Sequence, residues 1–93
     1  MSKIRLDIGG PKGNAYYIMS TVRHLVGPDQ DEREICARMR GESFSALGGQ
    51  WSYEDLLRVY LQEFPFVELY ATHDIGIDKE LYTLDTNPDV IEL

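Results

Sequence analysis

Ile4-Arg5-Leu6-Asp7-Ile8-Gly9-Gly10-Pro11-Lys12-Gly13-Asn14-Ala15 is the stretch that decides the fold. Ile4, Leu6 and Ile8 alternate with Arg5 and Asp7, the period of a strand with one buried face. Gly9 to Gly13 ends that strand, because three glycines and a proline suit a turn far better than regular structure. Asn14 carries the side chain of a helix N-cap, and Ala15, Ile18, Met19, Val22, Leu25 and Val26 follow on one helical stripe. Gly27-Pro28 stops the helix. Lys3 to Gly27 therefore reads as a strand, a glycine-rich turn and an amphipathic helix.

Working outward, Asp29 to Glu32 places acids where a helix N-terminus favours them, and Arg38 and Arg40 fall near the opposite end, so Asp31 to Arg40 predicts a short helix. Ile35, Cys36 and Met39 face inward, and Gly41 closes it. Glu42 to Gln50 gives one helical turn at best, around Phe44, Ala46 and Leu47, before a Gly48-Gly49 loop. Ser52 and Asp55 have capping-box spacing, with Asp where Glu or Gln is usual. Tyr53, Leu56, Leu57, Tyr60, Leu61 and Phe64 then form a helical stripe that Pro65 ends. Phe66 to Thr72, aromatic and β-branched, predicts a second strand, and Glu80 to Leu84 a third strand or a docked segment. Thr86 to Leu93 reads as an acidic tail.

The expected fold class is α+β: a small two- or three-stranded sheet with three helices packed on one face, in the order β-α-α-α-β-(β), within one domain spanning residues 1–93. Two strands alone make a marginal sheet, so either the third strand joins or the chain forms a homodimer through an open edge.

The 93 residues include ten aromatics, and 43% of the chain is hydrophobic, enough apolar area for a core without staples. Cys36 alone cannot form an internal disulfide, and no charged-then-apolar leader opens the sequence, which together point to a reducing cytoplasm. No apolar run approaches the ~18 residues that cross a bilayer.

Charge is uneven. Residues 1–41 carry seven basic and five acidic groups (7 − 5 = +2), whereas residues 42–93 carry Arg58 and Lys79 against eleven acids (2 − 11 = −9), summing to the net −7. Direct nucleic-acid binding by the second half would press phosphates against carboxylates; a protein partner with a basic surface suits it better.

The turn residues Gly9, Gly10, Lys12, Gly13 and Asn14 form a candidate anion site at a helix N-terminus, with Tyr17 to stack on a base. The motif lacks the ending of a P-loop, and Pro11 removes one N–H donor, so a purely structural turn is the first reading. Asp7 reads as a cap for the turn's own N–H groups. Neither His24 nor His73 has a partner at ligand spacing. His73, Asp74, Asp78 and Glu80 lack the order of a calcium loop and read as a solvated acidic loop, so no metal and no cofactor is expected. Cys36 reads as a small core residue, since no base stands beside it. With no nucleophile and base in sequence reach of each other, the chain reads as a non-enzyme.

Tyr16, Tyr17, Trp51, Tyr53, Tyr60, Tyr70 and Tyr82 are more large aromatics than a thin core hides, and tyrosines among carboxylates suit a protein interface. Glu63, Glu68, Tyr70, Asp74, Asp78, Glu80 and Tyr82 are accordingly the candidate partner-binding residues.

Ile4 to Ala15, together with Tyr53-Glu54-Asp55-Leu56-Leu57, Phe64 and Val67-Glu68-Leu69, resemble a family of small tailed-bacteriophage accessory proteins. The resemblance covers residues 3–27 and 52–70; Ser43 to Trp51 looks like an insertion, and the chain after Thr72 is unmatched. It implies a phage accessory gene acting in the host cytoplasm, of the kind whose small acidic products block host defences, CRISPR systems included. Two functions follow as expectations: an inhibitor that binds a host protein through its acidic, tyrosine-rich half, or a sponge for a nucleotide second messenger held at the Gly9 to Asn14 turn.

Overall fold

Three parallel strands in the order β1-β2-β3 form the sheet, with β1 at Ile4–Asp7, β2 at Val67–Ala71 and β3 at Thr83–Leu84. A computed structural model describes residues 4–42 and 51–86. The expected turn at Phe44 to Leu47 and the acidic tail from Asn87 onward lie outside these residues. A 3-10 turn at Pro11–Gly13 and the helices α1 (Ala15–Leu25), α2 (Glu32–Met39) and α3 (Tyr53–Glu63) separate β1 from β2. The α+β order expected from the sequence is therefore present, and the third strand joins the sheet.

Strand direction was not legible in the sequence, and it follows from the connections. Three helices intervene between β1 and β2, which gives the chain length to return and run parallel. Ile4 pairs with Val67, Leu6 with Leu69 and Asp7 with Tyr70. Ile8 N–H donates to the Tyr70 carbonyl at 2.8 Å, extending the ladder past the last residue of β1. β3 adds two pairs, Tyr70 with Thr83 and Ala71 with Leu84, and the Asp85 N–H closes on the Ala71 carbonyl at 2.8 Å.

Alternation sorts the sheet's faces. Leu6, Ile8, Val67, Leu69 and Ala71 are buried against the helices with Ile18, Val22, Ile35, Met39, Leu57, Tyr60 and Phe64. Burying such side chains contributes about 1.5–3 kcal/mol each. Arg5, Glu68 and Tyr70 point to the other face. Parallel sheets are normally covered on both sides; here the Arg5 guanidinium lies 4.3 Å above the Tyr70 ring.

Each helix begins as its sequence dictates. The Asn14 side chain accepts from the Tyr16 N–H, the Asp31 side chain from Arg33 and Glu34, and Ser52 and Asp55 form a reciprocal capping box despite the shorter acid. Two glycines are dictated by geometry. Gly41 has φ +66° with the Trp51 ring lying where a Cβ would project, and a Cβ on Gly13 would overlap the Ile8 carbonyl. Trp51 fixes this corner by donating its Nε1–H to the Met39 carbonyl at 2.6 Å.

Among the described residues, Thr21 is a buried polar side chain with no signal in the apolar stripe of α1. Its hydroxyl bonds the Ile18 carbonyl at 2.6 Å and the Tyr60 hydroxyl at 2.8 Å, so burial leaves neither oxygen alone. Burial also pushes the Tyr60 phenol pKa up. Cys36 is half-buried, its thiol directed at the Met19 carbonyl and its pKa pushed up chiefly by burial. No helix among the described residues is long and apolar enough to cross a membrane.

Candidate functional site

The glycine-rich turn is built around its own hydrogen bonds. Gly9 N–H donates to Asp7 Oδ1 at 2.8 Å, Gly13 N–H to the Gly10 carbonyl at 2.9 Å, and Asn14 N–H to the Pro11 carbonyl at 3.3 Å. Tyr16 N–H is taken by the Asn14 side chain at 2.8 Å, and Pro11 has no N–H to give. Most donors that a phosphate cradle would use are thus already engaged. Tyr53 ties the turn to α3 by donating its hydroxyl to the Gly13 carbonyl at 2.5 Å. Tyr17 packs against the core, whereas its neighbour Tyr16 is 81% exposed. The end of β2 also brings His73 here: a Cβ on Gly9 would stand 3.2 Å from His73 Cε1 and 3.3 Å from Asp7 Oδ1. That juxtaposition had no signal in the sequence, since sixty-odd residues separate the two.

The seven candidate partner-binding residues divide into four settings. Asp74, Asp78 and Glu80 lie in the loop after β2, and Asp78 contacts the first turns of α3. Asp78 N–H donates to Glu54 Oε2 at 2.8 Å, and Arg58 reaches Asp55 at 3.0 Å and Asp78 at 3.4 Å. Asp74 holds Lys79 at 3.2 Å, accepts the Gly76 N–H at 2.8 Å and accepts the Tyr82 hydroxyl at 3.2 Å. Five carboxylates (Glu54, Asp55, Asp74, Asp78, Glu80) against two cations (Arg58, Lys79) make this an acidic end among the described residues. Asp55 has a sequence signal only as the partner of Ser52 in a capping box, and Glu54 has none, so neither is legible as a site residue.

Glu63 lies elsewhere, in the seam between α2 and α3, where it binds Arg38 and approaches Gln30 Nε2 at 3.4 Å. Glu68 lies on the outer face of the sheet. Arg5 Nε stands 2.8 Å from Glu68 Oε1 without hydrogen-bond alignment, an electrostatic contact, while its NH2 donates to Asp85 at 3.1 Å. Burial of the Arg5 guanidinium works against its charge, yet Asp85 and Glu68 outweigh it and raise its pKa. Tyr70 and Tyr82 are 1% and 6% exposed, so the surface expected of them as tyrosines is largely withdrawn. Tyr82 contributes through its hydroxyl, by orienting Asp74.

These contacts explain the electrostatics. Asp74 is held below the ordinary carboxylate range by the Gly76 N–H first, then by Lys79. Asp55 is lowered by the Ser52 N–H and hydroxyl, with Arg58 adding to them. Among the described residues no three His, Cys, Asp or Glu side chains converge as a metal site would require. The segregation of charge along the sequence is also partly undone in space, because Arg5 and Arg38 from the basic half are spent on Glu68, Asp85 and Glu63 from the acidic half.

Fold and site together define a small α+β domain with an acidic end, among the described residues, at the start of α3 and the loop after β2. Comparison of the chain with protein families, curated proteins and solved structures finds no match.

Proposed function

We propose that this chain is a non-enzymatic phage accessory protein that inhibits a host defence system by binding a host protein with a basic surface, and that the acidic end is its contact surface. The observation that carries the reading is the grouping of Asp74, Asp78 and Glu80 with Glu54 and Asp55. Two cations among five acids leave an outward negative field, and such a field speeds and selects association with a basic patch. A target surface that serves nucleic acid would present that charge. The alternative, a nucleotide sponge at the Gly9 to Asn14 turn, has against it that Gly9, Gly13, Asn14 and Tyr16 already spend their N–H groups inside the turn.

The test is capture from host lysate followed by a salt series on the captured complex. Binding should weaken as ionic strength rises and should be lost in an Asp74→Asn/Asp78→Asn/Glu80→Gln variant. A captured partner whose affinity ignores both salt and charge removal would overturn the reading.

A further inference from the structure

We infer that the outer edge of β1 pairs with the same edge of a second copy, antiparallel about a two-fold axis at Leu6, so that the sheet continues across a weak homodimer. The phase of the ladder fixes what that edge offers. Ile4 N–H bonds the Phe66 carbonyl at 3.1 Å and Ile8 N–H the Tyr70 carbonyl at 2.8 Å, so the backbone groups of Ile4, Leu6 and Ile8 turn toward β2. Those of Arg5 and Asp7, at the alternate positions, turn outward. Neither their N–H nor their C=O groups make a hydrogen bond among the described residues, and no strand of the sheet lies beyond β1 there. Two donors and two acceptors in a row are a template for another strand.

Charged side chains ordinarily blunt such an edge, and here both are drawn away from it. The Arg5 guanidinium crosses β2, 4.3 Å above the Tyr70 ring, to reach Asp85 past the end of β3 at 3.1 Å. Asp7 Oδ1 turns along its own chain to the Gly9 N–H at 2.8 Å. The opposite edge is a poorer template, since β3 consists of Thr83 and Leu84 alone.

Register decides the occupant. An antiparallel copy centred on Leu6 sets Arg5 opposite Asp7 of the second copy, and Asp7 opposite its Arg5. At these positions each pair exchanges both backbone bonds, and opposite charges face each other. Recentring on Arg5 or on Asp7 instead sets like charges opposite. The net −7 arises from residues 42–93, whereas residues 1–41, which include β1, carry +2. A two-fold contact uses the same edge of both copies, so the pairing stops at two. An edge this short makes far less contact than a standard interface, and the dimer forms only at high concentration.

Sedimentation equilibrium and amide hydrogen exchange of the full chain, each over a concentration series into the millimolar range, test this. The mean mass should rise from 10.7 kDa toward twice that value. Exchange at the Arg5 and Asp7 amides should slow as concentration rises, while Leu6 and Ile8, already held by β2, change less. Asp7→Lys sets like charges opposite in both pairs and should raise the dissociation constant about fivefold or more. Asp7→Asn, which keeps an acceptor for the Gly9 N–H, should raise it less. If Asp7→Lys does not fold, the exchange of the wild-type amides decides by itself. A mass that stays at 10.7 kDa throughout overturns the proposal. So does association that leaves the Arg5 and Asp7 amides unchanged, which would place the contact on another surface. Protection of those two amides in a chain of monomer mass would mean that the edge is covered from within, and undiminished association of Asp7→Lys would rule out the Leu6-centred register.

Discussion

The hydroxyls of Thr21 and Tyr60 meet at 2.8 Å inside the core, joining α1 to α3 through one of two fully buried tyrosines among the described residues. Tyr60→Phe removes one bond and leaves Thr21 its Ile18 carbonyl, so it should destabilise by about 1 kcal/mol. Thr21→Val strands the Tyr60 hydroxyl in an apolar site and should cost about 1–3 kcal/mol. The double variant should fall short of the sum by at least about 0.5 kcal/mol. Urea unfolding of the four proteins measures this, and strict additivity would show that the two hydroxyls are not coupled.

Gly13 and Gly10 lie in the same turn and should respond oppositely. A Cβ on Gly13 meets the Ile8 backbone, which cannot swing aside, whereas one on Gly10 meets nothing within 4 Å. Gly13→Ala should destabilise by about 1–3 kcal/mol, and Gly10→Ala, at φ −130°, should be neutral or mildly stabilising. Thermal unfolding of both variants distinguishes a turn shaped by packing from one whose glycines are interchangeable.

Asp55 and Asp74 are both held below their ordinary values. Their bonds therefore support the fold where the carboxyls are ionised, above about pH 4, and that support is lost as pH falls through the depressed values of the folded state. Wild-type stability should decline in this acid range. Asp55→Asn and Asp74→Asn should each flatten the decline, and a slope unchanged in both variants would place the acid-sensitive groups elsewhere.

Asp85 ties the short strand β3 to Arg5 of β1 across the full width of the sheet. Asp85→Asn weakens that tie and leaves the β1–β2 ladder alone. Hydrogen exchange should quicken at the Asp85 amide by a few-fold, in keeping with an ion pair of about 1 kcal/mol or less, while Ile8 keeps its protection. Equal acceleration at Ile8 would mean that β3 and β1 open as one unit.

The local grammar was legible throughout: the period of Ile4 to Ile8, the caps at Asn14, Asp31 and Ser52, and the stop at Pro65 all lie within a few residues of the structure they specify. What resisted reading was long-range. Tyr70 and Tyr82 sit in sequences that suit an interface, and they are buried because Arg5 covers one and the loop at Asp74 receives the hydroxyl of the other. Asp55 reads as part of a helix start and Glu54 carries no signal of its own, and only the return of the chain at Asp78 makes them part of a surface. Residues that owe their role to a partner outside their own element, eight positions away for Tyr82 and 70 − 5 = 65 for Tyr70, carry no period to detect.

The register that sets Ile4 against Val67 has a consequence for synthesis. The two positions are 67 − 4 = 63 residues apart. At ribosomal speeds the first strand therefore waits about 3–13 s for its neighbour. During that interval α1 and α2 can assemble from local contacts, but the apolar edge of Leu6 and Ile8 has no strand to join. The sheet of this domain can close only once β2 has been made, so its completion waits on residues 67–71.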